Sequence, residues 1–531
     1  MATSAIAITV VLLVVFFATM IGVGVYCSKH SNSVNGFVLG GRNVGPWLTA
    51  FAYGTSYFSA VIFVGYAGQF GWNFGLASTW IGLGNAFIGS LLAWVVLGRR
   101  TRLMTQHISS KTMPDFFSKR YGSEKLKVAA SFIVFVFLIP YTASLYNGLS
   151  SLFDIAFGLP YWICIVVMAV LTCVYVLFGG YMATAVNDFI QGIIMLGGII
   201  AVISAILVSN GGLGEAINKL SQIPSPYPES AGQAGAFTSF FGAQPFYLFI
   251  VVILTSLGTW GLPQMVGKFY SIKNEDAIKK GTIISTLFAV VVAGGCYFIG
   301  GFGRLYISDP NNTFNKFDTI VPTILSTLPD IIIGIVIILV LAASMSTLSS
   351  LVLTSSSTLT LDVISPVRKR KNEEKVTQKS ELFVLRVFVV FFVAVSAAIA
   401  IIKDANPGFT FIAQMMGVSW GALAGSFIAP FMYGLYSKRI TRASCWVSFV
   451  FGCGMGITQL ILMFTGTTLT GPLGLIFKNS LYSGVFAMVG SMILVPIVSL
   501  FTPKCDEKTV DEIFTCYDKE VTVNVTDTLG K

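Results

Sequence analysis

The sequence predicts an all-α, polytopic membrane protein of about 13 helices, and three observations carry that prediction. Of its 531 residues 55% are hydrophobic and only 11% charged, far from the mix that keeps a soluble domain solvated. Apolar stretches of about twenty residues recur along the whole chain, the length that crosses a hydrocarbon core of about 30 Å. Two of these stretches are interrupted near their middle by Gly, Pro and hydroxyl residues.

The opening run AIAITVVLLVVFFATMIGVGVYC is longer than a signal-peptide core. It has no basic leader and no small-residue cleavage site, so 5–27 reads as a span. The next, 47–71, contains FAYGTSYFSAVIF, where Gly54, Thr55, Ser56 and Ser59 break the apolar pattern. Continuous spans follow at 77–98, 128–153, 161–178 and 181–207. The second interruption lies in 246–267, in ILTSLGTWGLPQMVG, at Gly258, Gly261 and Pro263. Further spans are expected at 282–303, 331–361, 383–402, 409–434, 445–465 and 479–502.

Gly and Pro weaken the helical hydrogen-bond ladder, which a bilayer tolerates only where protein or a watery cavity covers the freed groups. Broken helices at corresponding positions of two five-span units point to a secondary transporter built as an inverted repeat. The plan is one extra helix, repeats at 47–207 and 246–434, and two extra helices at 445–502. Residues 1–502 then form a single transmembrane transporter domain, and 503–531 a cytoplasmic tail.

The net charge of +10 is a topology signal. Of the 33 Lys and Arg, 27 fall in 28–46, 99–127, 268–281, 366–382, 435–444 and 503–531. If those segments share one side, that side is the cytoplasm, with the N-terminus outside and the C-terminus inside. No nucleic-acid partner is implied. The eight cysteines contain no CxxC pair, and the only histidines, His30 and His107, sit in basic loops. With no nucleophile–base pair and no cofactor motif, the chain does not read as an enzyme.

Ionisable groups inside spans are costly and therefore informative. Of 23 acidic residues only Asp188 lies well within a span. Asp154, Asp330 and Asp362 are expected near span ends within reach of water, and Arg386 close enough to an end to snorkel. No Lys or Arg in the spans is an obvious partner for Asp188, so it needs a cation from elsewhere. The segment ASMSTLSS offers hydroxyls at Ser344, Ser346, Thr347, Ser349 and Ser350. Those from Ser346 onward recur at spacings of three and four, roughly one helical face. Hydroxyls plus carbonyls freed by an unwound helix make a hard-oxygen site suited to an alkali cation. The competing use of such hydroxyls is back-bonding to the preceding turn or helix packing.

Five stretches in order, FVLGGRNVGPWLTAFAYGTSYFSA, TMPDFFSKRYG, FGGYMATAVNDFIQ, GTWGLPQMVGKFY and AASMSTLSS, spread over most of residues 30–440. Through them the chain resembles the sodium–solute symporter family, whose fold is of the LeuT type. The resemblance implies a main sodium site of the Thr55, Phe58 and Ala343 carbonyls and the Ser346 and Thr347 hydroxyls. It implies a second sodium, as in some members, at Asp188, Ser346, Ser349 and Ser350. The solute is expected between the two breaks, beside Tyr57 and Ser59 from the first and Thr255, Thr259, Trp260 and Gln264 from the second. Tyr141, in IPYTASLYNG, aligns with a tyrosine near the substrate of proline-transporting members.

Two departures bear on the solute. Tyr57 stands where proline-type members carry an aspartate, a pattern closer to pantothenate-type members. Residues 128–153 lack the arginine with which sialate-type members hold a carboxylate. The expectation is a sodium-driven symporter of a multi-pass cytoplasmic membrane protein, importing an amino acid or small carboxylate such as proline or pantothenate by alternating access. Sodium is the coupling ion and no other cofactor is implied. A sugar, sialate or other monocarboxylate is the alternative within that class; a transporter-fold sensor or a passive channel is the alternative outside it. The tail is too short for a signalling kinase.

Overall fold

The computed structural model describes residues 3–28, 32–157, 160–307, 317–371, 377–404 and 412–521; His30 and the last ten residues lie outside them. Among the described residues the only β feature is an isolated parallel bridge between Val44 and Ile272. Ten helices are long and apolar enough to cross a membrane, and the bent pair Pro245–Gly261 and Pro263–Tyr270 makes an eleventh. Two of the ten, Val61–His107 and Trp162–Ser209, have 47 and 48 residues. At 1.5 Å per residue each would reach about 70 Å, so each holds two passes, and the described residues contain thirteen.

In chain order the spans are Thr3–Cys27 (span 1), Pro46–Tyr57 continued by 61–74 (2), 79–107 (3), Glu124–Phe157 (4), 161–179 (5) and 181–209 (6). Span 7 is the bent pair, followed by Glu275–Gly301 (8), Ile331–Arg370 (9), Gln378–Asp404 (10), Ile412–Tyr436 (11), Arg442–Thr465 (12) and Ser480–Phe501 (13). The two double-length helices are divided by glycines in nearly the same backbone state: Gly75 at φ 63°, ψ −140° and Gly180 at φ 53°, ψ −145°. A side chain is strongly disfavoured there. Space forbids one too, since a Cβ on Gly75 would meet the Phe237 carbonyl at 2.1 Å and one on Gly180 the Phe37 carbonyl at 2.8 Å.

Span 9 lies at the centre, packed along spans 2, 4, 5–6 and 10, while span 11 is clasped by spans 4, 12 and 13. Spans 1, 10 and 12 turn side chains such as Val14, Phe383 and Val450 outward, the surface a hydrocarbon solvent requires.

The basic segments gather at one end of the bundle. Arg42 donates to the carbonyls of Tyr270 and Ser110, Arg102 to that of Ile272, and Arg120 to that of Gly434. Arg368 reaches the Ser380 hydroxyl, and Thr112 donates to Asp362 at 2.6 Å. Asp362 is therefore not a water-exposed end residue: it is buried and takes part in this tie. The tail returns to the same face. Its helix Glu507–Phe514 is held by Lys438–Asp511 at 2.7 Å, and beyond it the Tyr517 hydroxyl donates to the Leu435 carbonyl while Arg100 covers the Tyr517 ring.

Candidate functional site

Both interrupted helices are broken, each by a different device. Span 2 leaves the helix at Phe58 (φ −99°, ψ 86°) and resumes as a π-turn from Val61. The break falls after Gly54 and Ser56, which remain helical; Gly54 is small because the Phe288 ring would lie 2.5 Å from a Cβ there. In span 7 a tight turn over Gly258–Gly261 is followed by extended Leu262 (φ −86°, ψ 119°), and Pro263 starts the inner half at a bend of 48°. Proline suits that first helical position because its missing N–H would be unpaired anyway. Gly261 lets the break lie on span 11, where a Cβ would meet Ala424 Cα at 2.7 Å.

Span 9 brings its hydroxyls to the first break. The Thr347 hydroxyl lies 3.3 Å from the Thr55 carbonyl, 3.4 Å from that of Ser56 and 3.2 Å from that of Ala343. The Ala343 contact is the back-bond to the preceding turn, while those to Thr55 and Ser56 cross to the other helix. Phe58, whose carbonyl lies outside the regular ladder, completes the break. Ser346 Oγ is fully buried and has no hydrogen-bond partner, a state costly unless something fills it. The Thr347 hydroxyl thus stands among the Thr55, Ser56 and Ala343 carbonyls where span 9 crosses the first break.

The rest of the hydroxyl row divides between two uses. Ser344 bonds back to the Val340 carbonyl at 2.8 Å and Ser349 to that of Ser346 at 2.9 Å, the ordinary helical fate of such groups. Ser350 instead reaches across to the Ser56 hydroxyl at 2.7 Å. Its other neighbour is one that sequence reasoning left in a basic loop. The Lys268 ammonium donates to Ser350 Oγ at 2.9 Å and lies 3.5 Å from Asp188 Oδ2. Asp188 therefore has a basic partner after all. Lys268 sits on the inner half of broken span 7, one residue past the predicted end of that span, and its side chain is only 4% exposed.

Of the residues expected around the solute, four turn their polar groups to backbone. Thr255 bonds the Val251 carbonyl, Thr259 that of Ser256, and the Trp260 indole donates to Ile88 at 3.0 Å. Tyr57 spends its hydroxyl on the Thr255 carbonyl, joining the two broken helices. Ser59 Oγ, Tyr141 OH and Gln264 Oε1 are buried without partners. Trp420 on span 11 joins them: its indole N–H is unpartnered, its ring lies edge-on to Tyr141 at 6.0 Å and beside Tyr57 at 6.1 Å. Sequence reasoning missed Trp420; the signal was a tryptophan set among small residues in GVSWGALAG. A narrow cleft of about 50 Å³ is lined by Lys111 and Thr112 of the basic face together with Ser357, Gln264, Lys268 and Ser350.

The chain has relatives in sequence and in fold. The sequence profile described as the sodium:solute symporter family matches residues 37–452. The osmoregulated proline transporter of Bacillus subtilis (strain 168) is 27% identical over 500 residues, 92% of this chain and 94% of that protein. A sodium/proline symporter of Staphylococcus aureus (strain JH9) is 28% identical over 507 residues, 93% of each chain. Among solved structures, a Na⁺-coupled sialic acid symporter in a substrate-bound, outward-open state superposes with a TM-score of 0.75 at 18% identity, over 94% of this chain and 98% of its own, a likeness of fold. The matched segment takes in both broken helices and the whole of span 9, and the chain belongs to the sodium:solute symporter family.

Proposed function

We propose that the coupling sodium of this symporter binds among the Thr55, Phe58 and Ala343 carbonyls and the Ser346 and Thr347 hydroxyls. The observation that carries the assignment is the Thr347 hydroxyl placed against the Thr55 carbonyl across two helices, beside an unpartnered Ser346. A sodium there replaces its hydration shell with protein oxygens and fastens span 9 to the broken span 2. The solute lies beside it, against Ser59, Tyr141 and Trp420, with Tyr57 and Gln264 as walls. These groups are polar but uncharged, which fits a compact, net-neutral solute such as an amino acid. The proline named for the Bacillus and Staphylococcus relatives is the first candidate, a pantothenate-like carboxylate the second.

The basic face is the cytoplasmic one by the positive-inside rule, so the cleft ending at Gln264 and Lys268 is the inward exit route, the N-terminus is outside and the tail inside. Alternating access then carries solute from a site open to the outside to one open on this face. Moving one sodium across 100 mV is worth about 2.3 kcal/mol and a tenfold gradient about 1.4 kcal/mol more. Together these sustain a several-hundred-fold solute gradient.

The test is the melting temperature of purified protein in sodium against potassium, across a panel of proline, other amino acids, pantothenate and sialate. Stabilisation by sodium, increased by one solute only when sodium is present, supports the reading. A profile identical in sodium and potassium removes it.

A further inference from the structure

The pair that closes the second constellation has a consequence for how many ions are coupled. Asp188 is fully buried and Lys268 nearly so, and they belong to different repeats, span 6 and span 7. The ammonium is held on three sides: by Asp188 Oδ2, by Ser350 Oγ at 2.9 Å, and by the face of Tyr181 with its ring centre 5.5 Å away. A carboxylate, a hydroxyl and an aromatic face are a cation's environment, and the cation is already part of the chain.

We propose that Lys268 is the resident cation of the Asp188–Ser350 site, a tethered ammonium standing where a second sodium would otherwise bind, so that the transporter couples to a single sodium. The proposal rests on sodium binding at the first site. Its physical basis is charge matching. Asp188 is the carboxylate that faces this ammonium, and one carboxylate neutralises one cation. With the ammonium in place the site is neutral; adding a sodium would bury an unmatched positive charge, which a low-dielectric interior resists strongly. Without the ammonium, a sodium restores neutrality and finds Asp188, Ser346 and Ser350 oxygens around it. The first site contains only neutral oxygens and does not compete for that carboxylate.

The experiment is equilibrium binding of radioactive sodium to the purified protein, with potassium as background. Wild type is expected to bind one sodium per chain with a Hill coefficient near one. Lys268→Met is expected to bind two, Lys268→Arg one, and the neutral pair Asp188→Asn/Lys268→Met one again. Two sodium ions on wild type overturn the proposal, as does a folded Lys268→Met that still binds one. Should Lys268→Met fail to fold, the wild-type stoichiometry and the neutral pair decide: two ions on either overturns it, one ion on both supports it. No saturable sodium on wild type removes the sodium reading itself, and this proposal with it, a result distinct from all the others.

Discussion

Thr347 Oγ1 lies 3.3 Å from the carbonyl oxygen of Thr55, across the contact between the central helix and the first helix break. Thr347→Val keeps the shape of the side chain and removes only that oxygen. The expected result is at least a tenfold rise in the sodium concentration for half-maximal stabilisation, about 1.4 kcal/mol, with the melting temperature in potassium little changed. Sodium titrations followed by melting temperature check it; an unchanged midpoint would reduce Thr347 to packing.

Breaking the Asp188–Lys268 pair from one side leaves a buried charge alone, which costs about 3–5 kcal/mol. Asp188→Asn and Lys268→Met should therefore each lower the melting temperature in sodium-free buffer. The double variant, which buries no charge, should recover most of the loss. Thermal melts of all four proteins form the cycle, and additive losses would mean that the two residues do not interact.

Two tryptophans near the breaks should respond differently to loss of the indole N–H. Trp420→Phe removes a donor that has no protein partner, so solute-dependent stabilisation should weaken about tenfold while the sodium midpoint holds. Trp260→Phe removes a bond to the Ile88 carbonyl, about 1 kcal/mol of stability, with solute response retained. Solute titrations on both variants separate the roles, and the reverse pattern would move the pocket to span 7.

The glycine breaks predict a contrast within one helix. Gly180→Ala forces a side chain into a left-handed backbone and against the Phe37 carbonyl; it should sharply reduce the yield of folded protein. Gly197→Ala, in the same helix with no atom within 4 Å of the added methyl, should be neutral or slightly stabilising. Size-exclusion profiles of the two proteins decide.

Docking of the tail is readable at Cys516. Burial pushes its thiol up to about 11, so at pH 8 only about one thiol in a thousand is the reactive thiolate. Alkylation should be slow and rise about tenfold per pH unit. Tyr517→Ala, which loses the bond to Leu435 and the Arg100 contact, should accelerate it at fixed pH. Peptide mass spectrometry locates the label; equal rates in the two proteins would show a tail that is not held.

Hydropathy made the thirteen spans legible, because a bilayer imposes one length and one composition on whatever crosses it. The two breaks were legible as clusters inside apolar runs, Gly54, Thr55, Ser56 and Ser59 in one and Gly258, Gly261 and Pro263 in the other. Their registers were not: Gly54 proved to be a packing contact with Phe288, and the chain unwinds only at Phe58, where no single residue type signals it. Lys268 was hidden by the method that found the spans, since hydropathy assigns a lysine to water without asking what it could neutralise. Its partner Asp188 was conspicuous for that same charge. Trp420 and the division of the hydroxyl row depend on which way each helix is rotated, and rotation is a property of the neighbours.

Span 9 carries a mechanical consequence. It stays helical for 40 residues, from Ile331 to Arg370, with a π-helical turn over Thr360–Ile364, although about twenty suffice to cross the bilayer. From Thr347 to Arg370 the helix is a rod of about 35 Å. If sodium departure lets it pivot by about 10° at the oxygen cluster, its far tip swings by about 6 Å, from that length. Arg368 and Lys369, gripping Ser380 and Glu381 at that tip, would sweep with it. The helix would then act as a lever with its fulcrum at Thr347, turning a loss of ångström-scale contacts into a gate-sized displacement.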